Sequence, residues 1–274
     1  MKPMSWVTTD DGVTLYVHQS GPARGRTVLL LHGWPLNHRM FDRQLAFLPE
    51  SGLRCAAPDL RGFGRSHAPS GGYCCDRLAD DLRDVINSLC LDEVILAGFS
   101  SGAAAAVRYM SRHGGKGVAG LALISPATPS LIKRDGWPFG LPPEQLDRLI
   151  QHAGLDRPQM AATFARQMFY RYHSPEYMSW FANLAMDGSL SATLSLARSL
   201  RDEDQLEDLP YIRVPIAIMY GVHDRIVPAE ASLQLAAALP NADVIRFEKS
   251  GHGLFQDEAE RFQQELVQFA LRVP

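Results

Sequence analysis

The chain has 274 residues, of which 46% are hydrophobic and 21% charged, and its net charge is −3. That length suits one large α/β domain with room for an inserted segment. The scattered, nearly balanced charge leaves no electrostatic footprint for nucleic acid or an anionic membrane surface.

In chain order, residues 5–9 and 13–18 read as two strands joined at Asp10-Asp11-Gly12, a hairpin turn signal. Thr27-Val28-Leu29-Leu30-Leu31 is a continuous apolar run, as expected of a strand covered on both faces. It ends in His32-Gly33-Trp34-Pro35. A helix is predicted over 40–48, closed by Pro49 and Gly52, and a short strand over 53–57. Leu78, Leu82, Val85, Ile86 and Leu89 fall at helical spacing within 76–89. A strand opening at Glu93-Val94-Ile95-Leu96-Ala97 then runs into Gly98-Phe99-Ser100-Ser101-Gly102 and a small-residue helix to His113, with Gly114 as its cap. Another buried-type strand spans 118–124.

Residues 126–209 break this alternation with a proline-rich opening and helical segments near 144–153, 157–170, 175–185 and 189–200. They read as an all-helical cap inserted into a core made of 1–125 and 210–274. The pattern then resumes with a strand over 215–220, a helix over 230–239, a strand over 242–247 and a final helix. That helix carries Phe255, Ala259, Phe262, Leu266 and Phe269 on one face. Strand–helix alternation of this kind predicts a mostly parallel sheet with helices on both faces.

The start, Met1 to Trp6, lacks the apolar core of a signal peptide. No apolar run approaches the roughly 20 residues of a spanning helix. The expectation is a cytoplasmic protein without a membrane partner. The four cysteines, Cys55, Cys74, Cys75 and Cys90, are too few and irregular for a disulfide framework. No ligand spacing suggests a metal, and no other cofactor is expected.

Chemistry concentrates at Gly98-Phe99-Ser100-Ser101-Gly102. A Gly-x-Ser-x-Gly between strand and helix is the context of a nucleophile elbow. A serine hydroxyl needs an adjacent base, and the base a partner that fixes its tautomer. Asp224 stands four residues past the predicted strand end at Tyr220, and His252 stands between Gly251 and Gly253 after another strand. Taken singly, Asp224 reads as a turn aspartate, and His252 equally as a loop histidine or a catalytic one. Together with Ser100 they follow the order Ser, Asp, His of an α/β-hydrolase triad.

An oxyanion hole needs two preorganised amides. Ser101, directly after the nucleophile, and Trp34, in the loop after the 27–31 strand, are the expected donors, with Pro35 restraining Trp34 to an extended conformation. Trp34 and Phe99 flank the reacting centre and are the pocket candidates. Arg61 and Arg65 are read as structural salt-bridge or loop residues. An elbow aspartate would indicate dehalogenase or epoxide hydrolase chemistry, and an elbow cysteine dienelactone hydrolysis. Ser100 indicates acyl transfer instead.

His32-Gly33-Trp34-Pro35-Leu36, Asp59 to Ser66, Gly98 to Gly102, Arg108-Tyr109 with Arg112-His113-Gly114, Asp224 before Val227-Pro228, and Gly251-His252-Gly253-Leu254 resemble the cofactor-free haloperoxidases, serine esterases of the α/β-hydrolase fold. The resemblance covers nearly the whole chain and is weakest through the insertion. It implies an eight-stranded sheet under a helical cap, and an esterase for small aryl or lactone esters. It also implies a perhydrolase side activity without metal or haem. Ser100 becomes the nucleophile, Asp224 the acid, His252 the base, and Trp34 and Ser101 the oxyanion amides. The chain departs from the pattern at Ser101, where a large residue, often methionine, is usual, and at Ala103 to Ala105, where glycines are usual. Two other readings use the same residues: a carbon–carbon bond hydrolase and a non-catalytic small-ligand sensor.

Overall fold

The computed structural model describes residues 4–274. A hairpin of β1 (Met4–Thr8) and β2 (Thr14–Ser20) opens the chain, paired antiparallel. The remaining strands are β3 (Thr27–Leu31), β4 (Arg54–Pro58), β5 (Val94–Phe99), β6 (Val118–Ile124), β7 (Ile216–Gly221) and β8 (Ala242–Phe247). They form one sheet of eight in the order β1-β2-β4-β3-β5-β6-β7-β8. β2 runs antiparallel to β4, and every pairing from β4 to β8 is parallel. β3, β5 and β7 are buried along their full lengths, which is why they appear as unbroken apolar runs.

Helices cover both faces. α1 (Asp42–Glu50) follows a 3-10 turn at His38–Phe41, so the segment predicted as one helix from Met40 is divided, with Pro49 inside its last turn. α2 (Cys75–Ser88) and α3 (Ser101–Arg112) pack on each other. α3 presents Ala103, Ala104, Ala105 and Ala106, all fully buried, so it can lie close to the sheet. His113 ends it, and Gly114 takes φ +61 just beyond.

Between β6 and β7 the chain forms α4 (Pro143–Leu155), α5 (Arg157–Met168), α6 (Pro175–Leu184) and α7 (Leu190–Asp202). Their starts are locally encoded. Asp156, Ser174 and Ser189 cap the amides of Gln159, Tyr177 and Ala192, and prolines occupy the first turns of α4, α5 and α6. α4 packs on α5 and α7, and α5 on α6.

After β7, α8 (Ala229–Ala238) and β8 complete the sheet. The predicted final helix is broken into α9 (Leu254–Asp257) and α10 (Ala259–Arg272). Glu258 interrupts it because its carboxylate turns back to accept from Lys249 N–H and Ser250 Oγ–H. α10 buries Phe262, Leu266 and Phe269. Since β3 to β8 are parallel, the loops after them emerge at one edge, where doubly wound sheets place their sites.

Candidate active site

Ser100 sits between β5 and α3 with φ 52 and ψ −116. A side chain rarely adopts this backbone, at a cost of about 1–3 kcal/mol. The surroundings hold it there. Ser100 N–H donates to Ile124 O at 2.9 Å, and Ser100 O accepts from Ala103 N–H at 2.9 Å. The flanking glycines are required sterically. A Cβ on Gly98 would stand 2.6 Å from Gly102 O, and one on Gly102 would stand 2.5 Å from Leu31 O. The elbow is therefore clamped between β3, β6 and the first turn of α3. Ser100 is only 8% exposed, so its hydroxyl faces an enclosed space rather than open solvent.

Asp224 lies in the turn after β7. Its Oδ1 accepts from the N–H groups of Ile226 (2.8 Å) and Val227 (2.9 Å), and its Oδ2 lies 2.7 Å from His252 Nδ1. The backbone donors occupy one carboxylate oxygen and leave the other for the imidazole. That contact places the proton on Nδ1 and leaves Nε2 as the lone-pair nitrogen. His252 is fully buried, and its Nε2 bonds to no group among the described residues. The ring packs 4.8 Å, centroid to centroid, from Phe99, the residue before Ser100. The structure thus couples Asp224 to His252 and sets the imidazole beside the elbow, with no hydrogen bond from Nε2 to Ser100.

The His252 loop is fastened by residues absent from the sequence reading. Asp257 is buried and accepts from Gly251 N–H and Tyr170 N–H (both 2.8 Å), Arg171 N–H (3.1 Å) and His173 Nε2 (2.9 Å). It therefore ties the His252 loop to the segment between α5 and α6. Ser125 Oγ–H donates to His252 O at 2.8 Å. The one available signal was an Asp-Glu pair soon after the histidine, which by itself reads as a helix start.

Trp34 is where the oxyanion reading placed it, but its amide is engaged. Trp34 N–H donates to Ser101 Oγ at 2.7 Å, while Ser101 N–H, in the first turn of α3, has no acceptor among the described residues. The Trp34–Pro35 peptide is cis. The Trp34 indole N–H donates to Thr193 O at 2.8 Å, pinning the loop to α7. Behind it His32 is wholly buried. Its Nε2 accepts from Leu60 N–H at 2.9 Å, and Nδ1 lies 3.1 Å from Gly33 O. Burial pushes the His32 pKa down to about 4, outweighing the nearby Asp59 charge.

Ser100, Ser101 and Trp34 border a small chamber of about 40 Å³ whose other walls include Leu146, Phe164 and Ile226. Phe99 does not line it, contrary to expectation. Its ring is fully buried behind the elbow, against His252 and Phe255, because the alternation of β5 turns it away from the chamber. Leu141, Leu146, Leu149, Phe164 and Ile226 separate the chamber from an outer recess of about 200 Å³ that also carries Arg148 and Arg225.

Arg61 takes the structural role. It is buried and bonded to Asp11 and Asp81, so no free cation is presented. Burial raises the Cys55 thiol to about 12 and the Cys75 thiol well above its ordinary value, so neither supplies a thiolate. Among the described residues no group of three or more His, Cys, Asp or Glu could hold a metal ion, and no helix is long and apolar enough to cross a membrane.

A parallel sheet carrying a strained serine elbow, with a histidine–aspartate pair on neighbouring strand ends, is the layout of an α/β hydrolase. Residues 26–259 match the family model for the alpha/beta hydrolase fold, and the chain belongs to that family. It is 41% identical to the AB hydrolase superfamily protein YisY of Bacillus subtilis (strain 168) over 265 residues, covering 97% of this chain and 98% of that one. It is 32% identical to a non-heme haloperoxidase of Rhodococcus erythropolis, covering 97% and 99%. Among solved structures, an esterase from Exiguobacterium antarcticum superposes with TM-score 0.95 at 38% identity, covering 97% and 98%. The protein is a hydrolase with esterase and haloperoxidase relatives.

Proposed function

We propose that the protein is a serine carboxylesterase for small esters, aryl esters and lactones among them, working through an acyl-enzyme on Ser100. The observation that carries this reading is the Asp224–His252 hydrogen bond, which leaves a buried, unpaired Nε2 beside the strained Ser100 elbow. An ester carbonyl seated in the chamber would meet the Ser100 hydroxyl. His252 Nε2 takes the serine proton as Oγ bonds to the carbonyl carbon. Asp224 holds Nδ1–H and stabilises the imidazolium.

The tetrahedral oxygen gathers charge and is held at the Ser101 N–H, in the first turn of α3, where the helix dipole also favours an anion. His252 then passes its proton to the leaving alcohol oxygen. A water, deprotonated by the same nitrogen, releases the acid and restores Ser100. Peroxide in place of that water would yield a peracid, as the haloperoxidase resemblance implies. The chamber of about 40 Å³ suits a short acyl group, with the alcohol portion directed to the outer recess.

The test is hydrolysis of p-nitrophenyl acetate by the wild type and Ser100→Ala. Turnover by the wild type and a loss of about 10⁴-fold or more in the variant are expected. No turnover in the wild type, or most of it kept in the variant, would refute the reading.

A further inference from the structure

The Ser101 side chain has a place in the hole that an amide-only account does not use. Trp34 N–H points at Ser101 Oγ, 2.7 Å away, with both residues buried. Among the described residues Ser101 Oγ has no other bond, and Ser101 lines the chamber next to Ser100. A hydroxyl accepts and donates at once. Here the acceptor side is taken by Trp34, so the O–H is left to point elsewhere, and the space it borders holds the reacting carbonyl.

We infer that the Ser101 hydroxyl is a catalytic donor of the oxyanion hole, meeting the developing oxyanion together with its own N–H while the Trp34 amide stands one bond behind. The inference rests on the esterase reading above. Two physical arguments support it. First, a carbonyl oxygen that took the Trp34 N–H directly would strip Ser101 Oγ of its donor and leave a buried hydroxyl oxygen unpaired, which is unfavourable. In the relayed arrangement no existing bond breaks when charge develops. Second, hydrogen bonds in a chain polarise one another. Donation by Trp34 into Oγ strengthens the O–H as a donor, and a bond from O–H to an oxyanion is charge-assisted and short. The charge is small in the bound ester and large in the tetrahedral intermediate, so this donor acts mainly on kcat.

The test compares the full-length wild type with Ser101→Ala, which removes the donor. Ser101→Cys keeps the side-chain shape but donates only weakly. Three readouts are needed. Fluorophosphonate labelling of Ser100 reports an intact nucleophile. Steady-state hydrolysis of p-nitrophenyl acetate separates kcat from KM. Inhibition by an aryl trifluoromethyl ketone reports oxyanion binding, since Ser100 Oγ adds to its carbonyl carbon, His252 takes the serine proton and the ketone oxygen becomes the anion. The matched methyl ketone, which stays a carbonyl, is the control.

The expected result for Ser101→Ala is full labelling, a fall of about 10²-fold in kcat, a KM within a few-fold of the wild type, and a similar loss of affinity for the fluoroketone alone. Ser101→Cys should fall between the two, and it carries the test if the alanine variant does not fold. An alanine variant that turns over as fast as the wild type or faster, with fluoroketone affinity retained, overturns the inference. The hydroxyl would then be a plug over the Trp34 amide. A wild type that neither labels nor hydrolyses would overturn the esterase reading, and this inference with it.

Discussion

Leu146→Ala should shift the acyl preference toward longer chains. Leu146 belongs to α4, is 3% exposed, and forms part of the wall between the 40 Å³ chamber and the 200 Å³ recess. Truncation removes the branched end of the side chain and joins the two spaces. If the chamber holds the acyl group, as the esterase proposal has it, longer acyl chains would press on Leu146, Leu149 and Phe164. Each methylene newly accommodated is worth about 0.8 kcal/mol, or about fourfold in kcat/KM. The hexanoate-to-butyrate ratio, spanning two methylenes, should therefore rise about 15-fold in the variant. The substitution also costs about 2–5 kcal/mol of stability, toward the lower end where the site borders an existing space. The assay is kcat/KM over p-nitrophenyl esters from acetate to octanoate, with thermal denaturation as the folding control. A wild type that prefers octanoate, or a variant with an unchanged chain-length profile, would refute the assignment of the chamber as the acyl site.

Two further outcomes follow from buried polar groups. His32 is lowered to about 4 in the folded state against 6.5 when free, so between these values the unfolded chain binds more protons and stability rises with pH. The penalty begins below pH 6.5 and amounts to about 2 kcal/mol at pH 5. Urea midpoints of the wild type should fall between pH 7 and pH 5 by more than those of His32→Gln, and equal falls would remove His32 as the cause. Asp257→Asn turns an acceptor into a donor facing backbone N–H groups at Gly251 and Tyr170 or at Arg171. It should cost about 2–3 kcal/mol and lower kcat by loosening the His252 loop, as read by urea unfolding and ester hydrolysis. Full kcat in a folded variant would show that the anchor does not position the base.

The elbow was legible because its requirements are local. A β-branched run, two glycines with no room for a Cβ and an alanine-rich helix are adjacent in the chain, and they return as β5, the φ 52 turn and α3. The helical segments expected near 157–170, 175–185 and 189–200 return as α5, α6 and α7, and the structure adds the caps at Asp156, Ser174 and Ser189. Asp224 and His252 were found through their shared position after strands, a consequence of parallel topology. The break at Glu258 was not legible, because an apolar face at helical spacing continues through it and the cause is a carboxylate bonded nine residues back at Lys249.

The sequence by itself determined the alternation that builds a parallel sheet, the serine at its strained turn, and the order of the three polar residues at strand ends. These follow from periodicity and near-neighbour sterics, which any short window of chain contains. The tertiary structure alone decided that Phe99 backs His252 instead of lining the chamber, that Asp257 anchors the His252 loop, and that the Ser101 hydroxyl meets the Trp34 amide across 67 residues of chain. It also set the chamber at about 40 Å³, with walls drawn from α3, α4, α5, α7 and the loops after β3, β6 and β7. Such contacts join side chains distant in sequence, and neither composition nor periodicity records which of them will meet once the sheet and helices close around the elbow.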